Sequence, residues 1–275
     1  IENIAFCDDT LVLQKALASQ EDTLDIHHAG TAMRFLTAYL AATTKKEITL
    51  TGSPSMCQRP IGHLVAALRD MGAAITYTGK KGYPPLKIAP AVLSGSVTID
   101  ASVSSQYISS LALIGPYLKK GLTLTLKGNI TSKPYIDMTL SLLSQIGVAH
   151  TFKGQEIRIL PLKKSNKVKI AVEGDWSSAS YFYSLVALSK NQSVHLSSFK
   201  TTSLQADAAL VSMYKNLGVT TTAIDSQTIA LTKNNILLPS VFNADLTPSP
   251  DLAQTIAVTC FGLGIACHLT GLHTL

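Results

Sequence analysis

Five short runs in this 275-residue chain carry side chains suited to holding an anion. Ala29-Gly30-Thr31 puts a residue without Cβ beside the free N–H groups of a helix start, where a ligand can approach the backbone. Arg59 stands immediately before Pro60, after a Gly-Ser-Pro-Ser loop, and a guanidinium there can pair bidentately with carboxylate or phosphate. Ser104-Ser105-Gln106 offers two hydroxyls and an amide, and Ser132-Lys133-Pro134-Tyr135 a hydroxyl, an ammonium and a phenol. Ser249-Pro250-Asp251 sets a carboxylate in a first helical turn, where the dipole favours its charge. Taken singly, each run also suits an ordinary helix start, since hydroxyls cap and a surface arginine needs no ligand. Five such runs at helix N-termini suggest a convergent anion pocket.

The elements that must position these residues recur. Gly30–Arg34, Ser104–Gln106, Ser177–Ser180 and Ser249–Asp251 open apolar runs about every 73 residues, each read as a helix. A second helical series, Pro60–Met71, Tyr135–Ile146 and Ala206–Leu217, ends at Gly72, Gly147 and Gly218, which lie 75 and 71 residues apart. Pro60 is expected at the first helical position and Gly72 as the cap. Strands are predicted at 47–51, 74–78, 86–89, 96–100, 122–127, 156–160, 167–172, 193–196, 228–231 and 267–270. The fold class expected is α/β, built from repeats of about 72 residues. A composition break at 163–169 predicts a domain switch, giving domains 1–172 and 173–275.

Bulk composition narrows the classes of partner. With 46% hydrophobic and 15% charged residues the chain can bury a sizeable core. The net charge of +6 is spread over lysine pairs in turns, and only four arginines are present, which argues against nucleic acid and for an anionic small molecule. Cys7, Cys57, Cys260 and Cys267 form no C-x-x-C pair, so reduced thiols in a cytoplasmic protein are expected, with no metal. The uncharged stretch 252–275 reads as a buried helix followed by a strand rather than a membrane span, because it carries Gln254, threonines and histidines. Both ends look cut, so a piece of a longer chain is expected.

At the residues singled out above, the chain resembles the 5-enolpyruvylshikimate-3-phosphate (EPSP) synthase family. The matching runs are His28–Arg34, Gln58–Leu64, Gly82–Leu86, Ser104–Tyr107, Ser132–Asp137, Val172–Asp175 with Ser177–Tyr181, and Pro250-Asp251, in family order. The resemblance implies a two-domain enolpyruvyl transferase architecture of βαβαββ units, incomplete here, with the active site in the cleft between domains. It implies transfer of the enolpyruvyl group from phosphoenolpyruvate to the 5-hydroxyl of shikimate 3-phosphate, with release of phosphate. Ser104, Ser105, Gln106, Ser132, Tyr135 and Asp251 would hold shikimate 3-phosphate, and the first domain, 1–172, would be the one that binds it. Gly30, Arg59 and Gln106 would bind phosphoenolpyruvate, and Asp251 would take the proton of the attacking hydroxyl. No metal or organic cofactor is implied, nor any nucleic acid or membrane, and a monomer is expected.

Three positions depart from the family pattern: His28 stands where Asn is common, Phe35 where Pro is, and Ser249 where an aliphatic residue is. Because the family's basic residues at either end are not in this chain, the chain alone is expected to be inactive. The sister enzyme that uses UDP-N-acetylglucosamine is the rival reading, with Cys57 as its tempting feature. A non-catalytic module that binds a phosphorylated ligand is a second.

Overall fold

A computed structural model describes residues 1–164 and 167–272. By their contacts they fall into two units: Ile4–Thr131 with Ile136–Lys169, and Ile1–Asn3 with Ser132–Tyr135 and Ile170–Leu275. Ser165 and Asn166, inside the expected switch at 163–169, and His273–Leu275, at the end of the uncharged stretch, lie outside the described residues.

The first unit opens on α1 (Asp8–Ala18) and then uses one pattern twice. The first copy is β1 (Thr23–Asp25), α2 (Gly30–Thr43), β2 (Ile48–Thr51), α3 (Gly62–Asp70), β3 (Ala74–Tyr77) and β4 (Leu86–Ala89). The second is β5 (Ser96–Asp100), α4 (Ser105–Ile114), β6 (Leu122–Lys127), α5 (Lys133–Gln145), β7 (His150–Lys153) and β8 (Glu156–Ile159). Their sheets run β1-β2-β4-β3 and β5-β6-β8-β7. In each, the first pair is parallel and the other two pairs antiparallel, so each copy is a βαβαββ unit.

The same local devices shape both copies. Along β6, Leu122, Leu124 and Leu126 alternate into the core. The carboxylates of Asp25 and Asp100, each ending a first strand, accept the N–H two residues on, at 2.8 and 2.9 Å, and turn the chain toward α2 and α4. Those two helices pack on each other and bury Leu36, Ala38, Ile108 and Leu111 in one cluster with both sheets.

The second unit holds a third copy, consisting of α6 (Trp176–Leu188), β9 (Ser193–Ser197), α7 (Leu210–Lys215), β10 (Val219–Ala223) and β11 (Thr228–Lys233). Its sheet, β10-β11-β9, has three strands. The start of a fourth follows: β12 (Val241–Asp245), α8 (Ala253–Leu263) and β13 (Ala266–Thr270), the two strands parallel. Here too Asp245 accepts the N–H of Thr247, at 2.9 Å. Trp176, Tyr183, Tyr214, Leu231 and Ile256 centre a separate core.

Several boundaries differ from expectation. The predicted strand at 167–172 is coil except for one parallel bridge from Ala171 to Glu2, so the third copy lacks its first strand. Among the described residues its one pairing is that bridge to Glu2, and Lys167 to Lys169 are exposed. Pro60 precedes α3 instead of opening it, because its carbonyl accepts the Tyr107 hydroxyl and Ile61 donates to Gly82. The predicted helix at 206–217 is a 3-10 turn (Ala206–Ala209) followed by the short α7, and a second 3-10 turn (Pro250–Leu252) precedes α8. Elements α1, β1, β7, β10 and β12 were not anticipated. Among the described residues no helix is long and apolar enough to cross a membrane.

Candidate active site

In the first unit, the start of α2 is open. Its N-cap, Ala29, has no side chain to offer the first N–H groups, and no acid stands in the first turn. Two guanidiniums lie over that end. A Cβ built on Gly30 would overlap Nη1 of Arg59 and sit 3.6 Å from Nη1 of Arg34, so a side chain there would push the Arg59 guanidinium off the helix end. Neither arginine has a carboxylate within ion-pair reach among the described residues. Arg34 instead donates to Oε1 of Gln106, whose amide in turn donates to the Thr31 hydroxyl at 3.3 Å. Tyr107 supports both cations: its ring lies 5.8 Å from the Arg34 guanidinium, and its hydroxyl fixes the Pro60 carbonyl, next to Arg59, at 2.8 Å. Two cations without a carboxylate partner at an uncapped helix start have the charge and donors that a phosphate or carboxylate would need.

α4 begins similarly. Ser104 is its N-cap residue, yet its side chain makes no capping bond, and the half-buried hydroxyl has no partner among the described residues. Ser105 is buried in the first turn. Gly30, Arg59, Ser104, Ser105 and Gln106 thus belong to one unit, and Gly30, Arg59 and Gln106 form a linked set. Arg34, one helical turn beyond Gly30, is the member that sequence reasoning left unassigned. Its i+4 spacing from Gly30 was the available signal. His28 lines a hollow of about 360 Å³ with Asp8, Asp9, Val12, His27 and the α2 N-cap residue Ala29.

Ser132, Tyr135 and Asp251 belong to the second unit. Ser132 takes a left-handed backbone (φ 49°), and Tyr135 stands in the first turn of α5. Asp251 is exposed in the 3-10 turn ahead of α8. A third carboxylate, Asp207, is completely buried and was not anticipated, because an acid opening a predicted helix reads as an ordinary cap. It accepts the Ser177 hydroxyl and a hydrogen bond from Tyr135. Burial raises its carboxyl above the usual range, aided by Asp251 and Asp175 and opposed by those two hydrogen bonds. The Tyr135 phenol is held above its ordinary value, first by burial and then by the Asp207 charge.

The Val-Glu-Gly-Asp run is a scaffold for this cluster. Glu173 accepts from the Trp176 indole (2.8 Å), the Lys200 backbone (3.1 Å) and the Ser203 hydroxyl (2.9 Å). Asp175, and not Ser177, caps α6, taking the N–H groups of Ser177 and Ser178 at 3.1 and 3.2 Å. Among the described residues no three His, Cys, Asp or Glu side chains gather as a metal would require.

Repeated βαβαββ units make this an α/β protein of the enolpyruvyl transferase architecture. A family model described as EPSP synthase (3-phosphoshikimate 1-carboxyvinyltransferase) matches residues 5–272, and the chain belongs to that family. A 3-phosphoshikimate 1-carboxyvinyltransferase of Bacteroides fragilis strain YCH46 is 42% identical over 276 residues, covering 100% of this chain and 67% of the relative. One from Proteus mirabilis is 38% identical, covering 86% of this chain and 54% of the relative. A solved EPSP synthase of Acinetobacter baumannii superposes with a TM-score of 0.65 at 23% identity, covering 88% of this chain and 55% of that one, and supports the fold. The chain therefore spans between about half and two thirds of the proteins it matches.

Proposed function

We propose that the protein carrying this chain transfers the enolpyruvyl group of phosphoenolpyruvate to the 5-hydroxyl of shikimate 3-phosphate and releases phosphate. The observation that carries this reading is the pair of unpaired guanidiniums, Arg34 and Arg59, over the glycine that opens α2, in a chain of this family. Gly30, Arg59 and Gln106 bind phosphoenolpyruvate. The cations and the helix end meet its phosphate without reorganising as charge moves toward that leaving group. Ser104, Ser105, Gln106, Ser132 and Tyr135 hold shikimate 3-phosphate. The free Ser104 hydroxyl supports this, because a serine serving only as a cap would be spent on the backbone.

In the reaction a proton adds to the enol methylene and the 5-hydroxyl oxygen attacks the cationic carbon that results. Asp251 accepts the hydroxyl proton as the new C–O bond forms. Loss of a methyl proton from the tetrahedral adduct then breaks the C–O bond to phosphate and restores the double bond. The substrates are small anions, no metal or organic cofactor takes part, and the protein works as a cytoplasmic monomer. Residues 1–172 and 173–275 correspond to the shikimate 3-phosphate-binding domain and part of the second. The rival that uses UDP-N-acetylglucosamine is not favoured, since the Cys57 thiol, its one attraction, is half-buried and turned back on the Gly52 carbonyl at 3.5 Å.

Calorimetric titration tests the assignment: the chain binds shikimate 3-phosphate, and Ser104→Ala with Ser132→Ala weakens binding by about a hundredfold, two lost hydrogen bonds to a charged ligand. Unchanged affinity in the double variant overturns the placement of the substrate.

A further inference from the structure

The geometry points to Asp207 as a positioning residue for the reaction, holding the Tyr135 phenol by a buried hydrogen bond so that it meets shikimate 3-phosphate already fixed. The inference rests on the reading above, in which Tyr135 contacts that substrate.

Asp207 is completely buried, in the four-residue turn Ala206–Ala209. No cation pairs with it among the described residues, and one of its oxygens, Oδ1, has no hydrogen-bond partner. The groups that face it are the Ser177 and Tyr135 hydroxyls, which donate to it, and the carboxylates of Asp175 and Asp251, which repel it. Burying an acid among acids works against folding, and an apolar side chain would serve the core better. Capping does not account for it either, because Asp175 already takes the free N–H groups at the start of α6. What remains is its hold on two hydroxyls, those of Ser177 and Tyr135, and of these Tyr135 is the one read as meeting the substrate. A phenol anchored at its hydroxyl has its side-chain torsions set before the ligand arrives, so the ordering cost of binding falls.

The test is a double-mutant cycle on the chain, read by calorimetric titration with shikimate 3-phosphate and by thermal melting without ligand. Asp207→Ala is expected to weaken binding about tenfold. Asp207→Asn keeps an acceptor oxygen and is expected to stay within about threefold of the parent. In a Tyr135→Phe background Asp207→Ala is expected to have no further effect, and the melting shifts of the two changes are expected to be less than additive. If Asp207→Ala does not fold, Asp207→Ser, whose hydroxyl is too short to reach the phenol, replaces it. Equal losses of affinity in both backgrounds, or no loss in either, overturn the proposal. A parent chain that is folded yet does not bind shikimate 3-phosphate overturns the reading that the residues of this chain hold that substrate. Binding by the parent with additive variant effects overturns only the role of Asp207.

Discussion

At the scale of single residues, the site turns on groups without their usual partners. Gly30 leaves room for Arg59, and a methyl group there would displace the guanidinium. Gly30→Ala is therefore expected to weaken phosphoenolpyruvate binding about tenfold while leaving the melting temperature within a few degrees, as titration and melting can show. Asp207 makes a second prediction through its raised carboxyl. A carboxyl whose folded value lies above its unfolded one contributes stability at low pH and loses it as pH rises through the folded value. Asp207→Asn should accordingly stabilise the chain more at pH 7 than at pH 4, as denaturant melts at the two pH values can show. Residue type marked Gly30 and Arg59 as candidates for an anion site, and the family resemblance added Gln106; the structure links Gln106 to Arg34 and Thr31. The sequence did not reveal Arg34 or Asp207. The roles of those two depend on what lies across from them, and neither spacing nor residue type carries that information.

Elements were more legible than residues, and for a physical reason. Apolar periodicity and glycine stops are local, so the helices α2, α4, α5 and α6 and most strands fall where the pattern placed them. The glycines after the second helix of each copy, Gly72, Gly147 and Gly218, adopt φ of 106°, 95° and 82°. A side chain resists that conformation, so Gly147→Ala should cost about 1–2 kcal/mol in denaturant unfolding. What local pattern missed were the short strands β1 and β12, whose partners β2 and β13 lie beyond an intervening helix, the half-exposed hairpin strand β7, and the absence of a strand at 167–172. Pairing decides those cases. Lys167, Val168 and Lys169 alternate like a strand, but a strand needs a neighbour, and among the described residues none pairs with these three. Pro60 is a similar case, where a hydrogen bond from Tyr107, remote in sequence, overrides a local preference.

For the whole molecule, the repeat itself was legible, while its count and sheet order needed the strand pairings. Each unit has its own hydrophobic core, with no residue in common. Calorimetry should therefore resolve two melting transitions, and Leu124→Ala, which empties a fully buried position on β6, should lower only one, with a loss of about 3 kcal/mol. The central claim concerns what the chain recognises, and one side-by-side calorimetric titration with shikimate 3-phosphate and UDP-N-acetylglucosamine tests it most directly. The account predicts heat of binding for shikimate 3-phosphate alone. Binding of the uridine nucleotide in its place, by a chain shown to be folded, would contradict it.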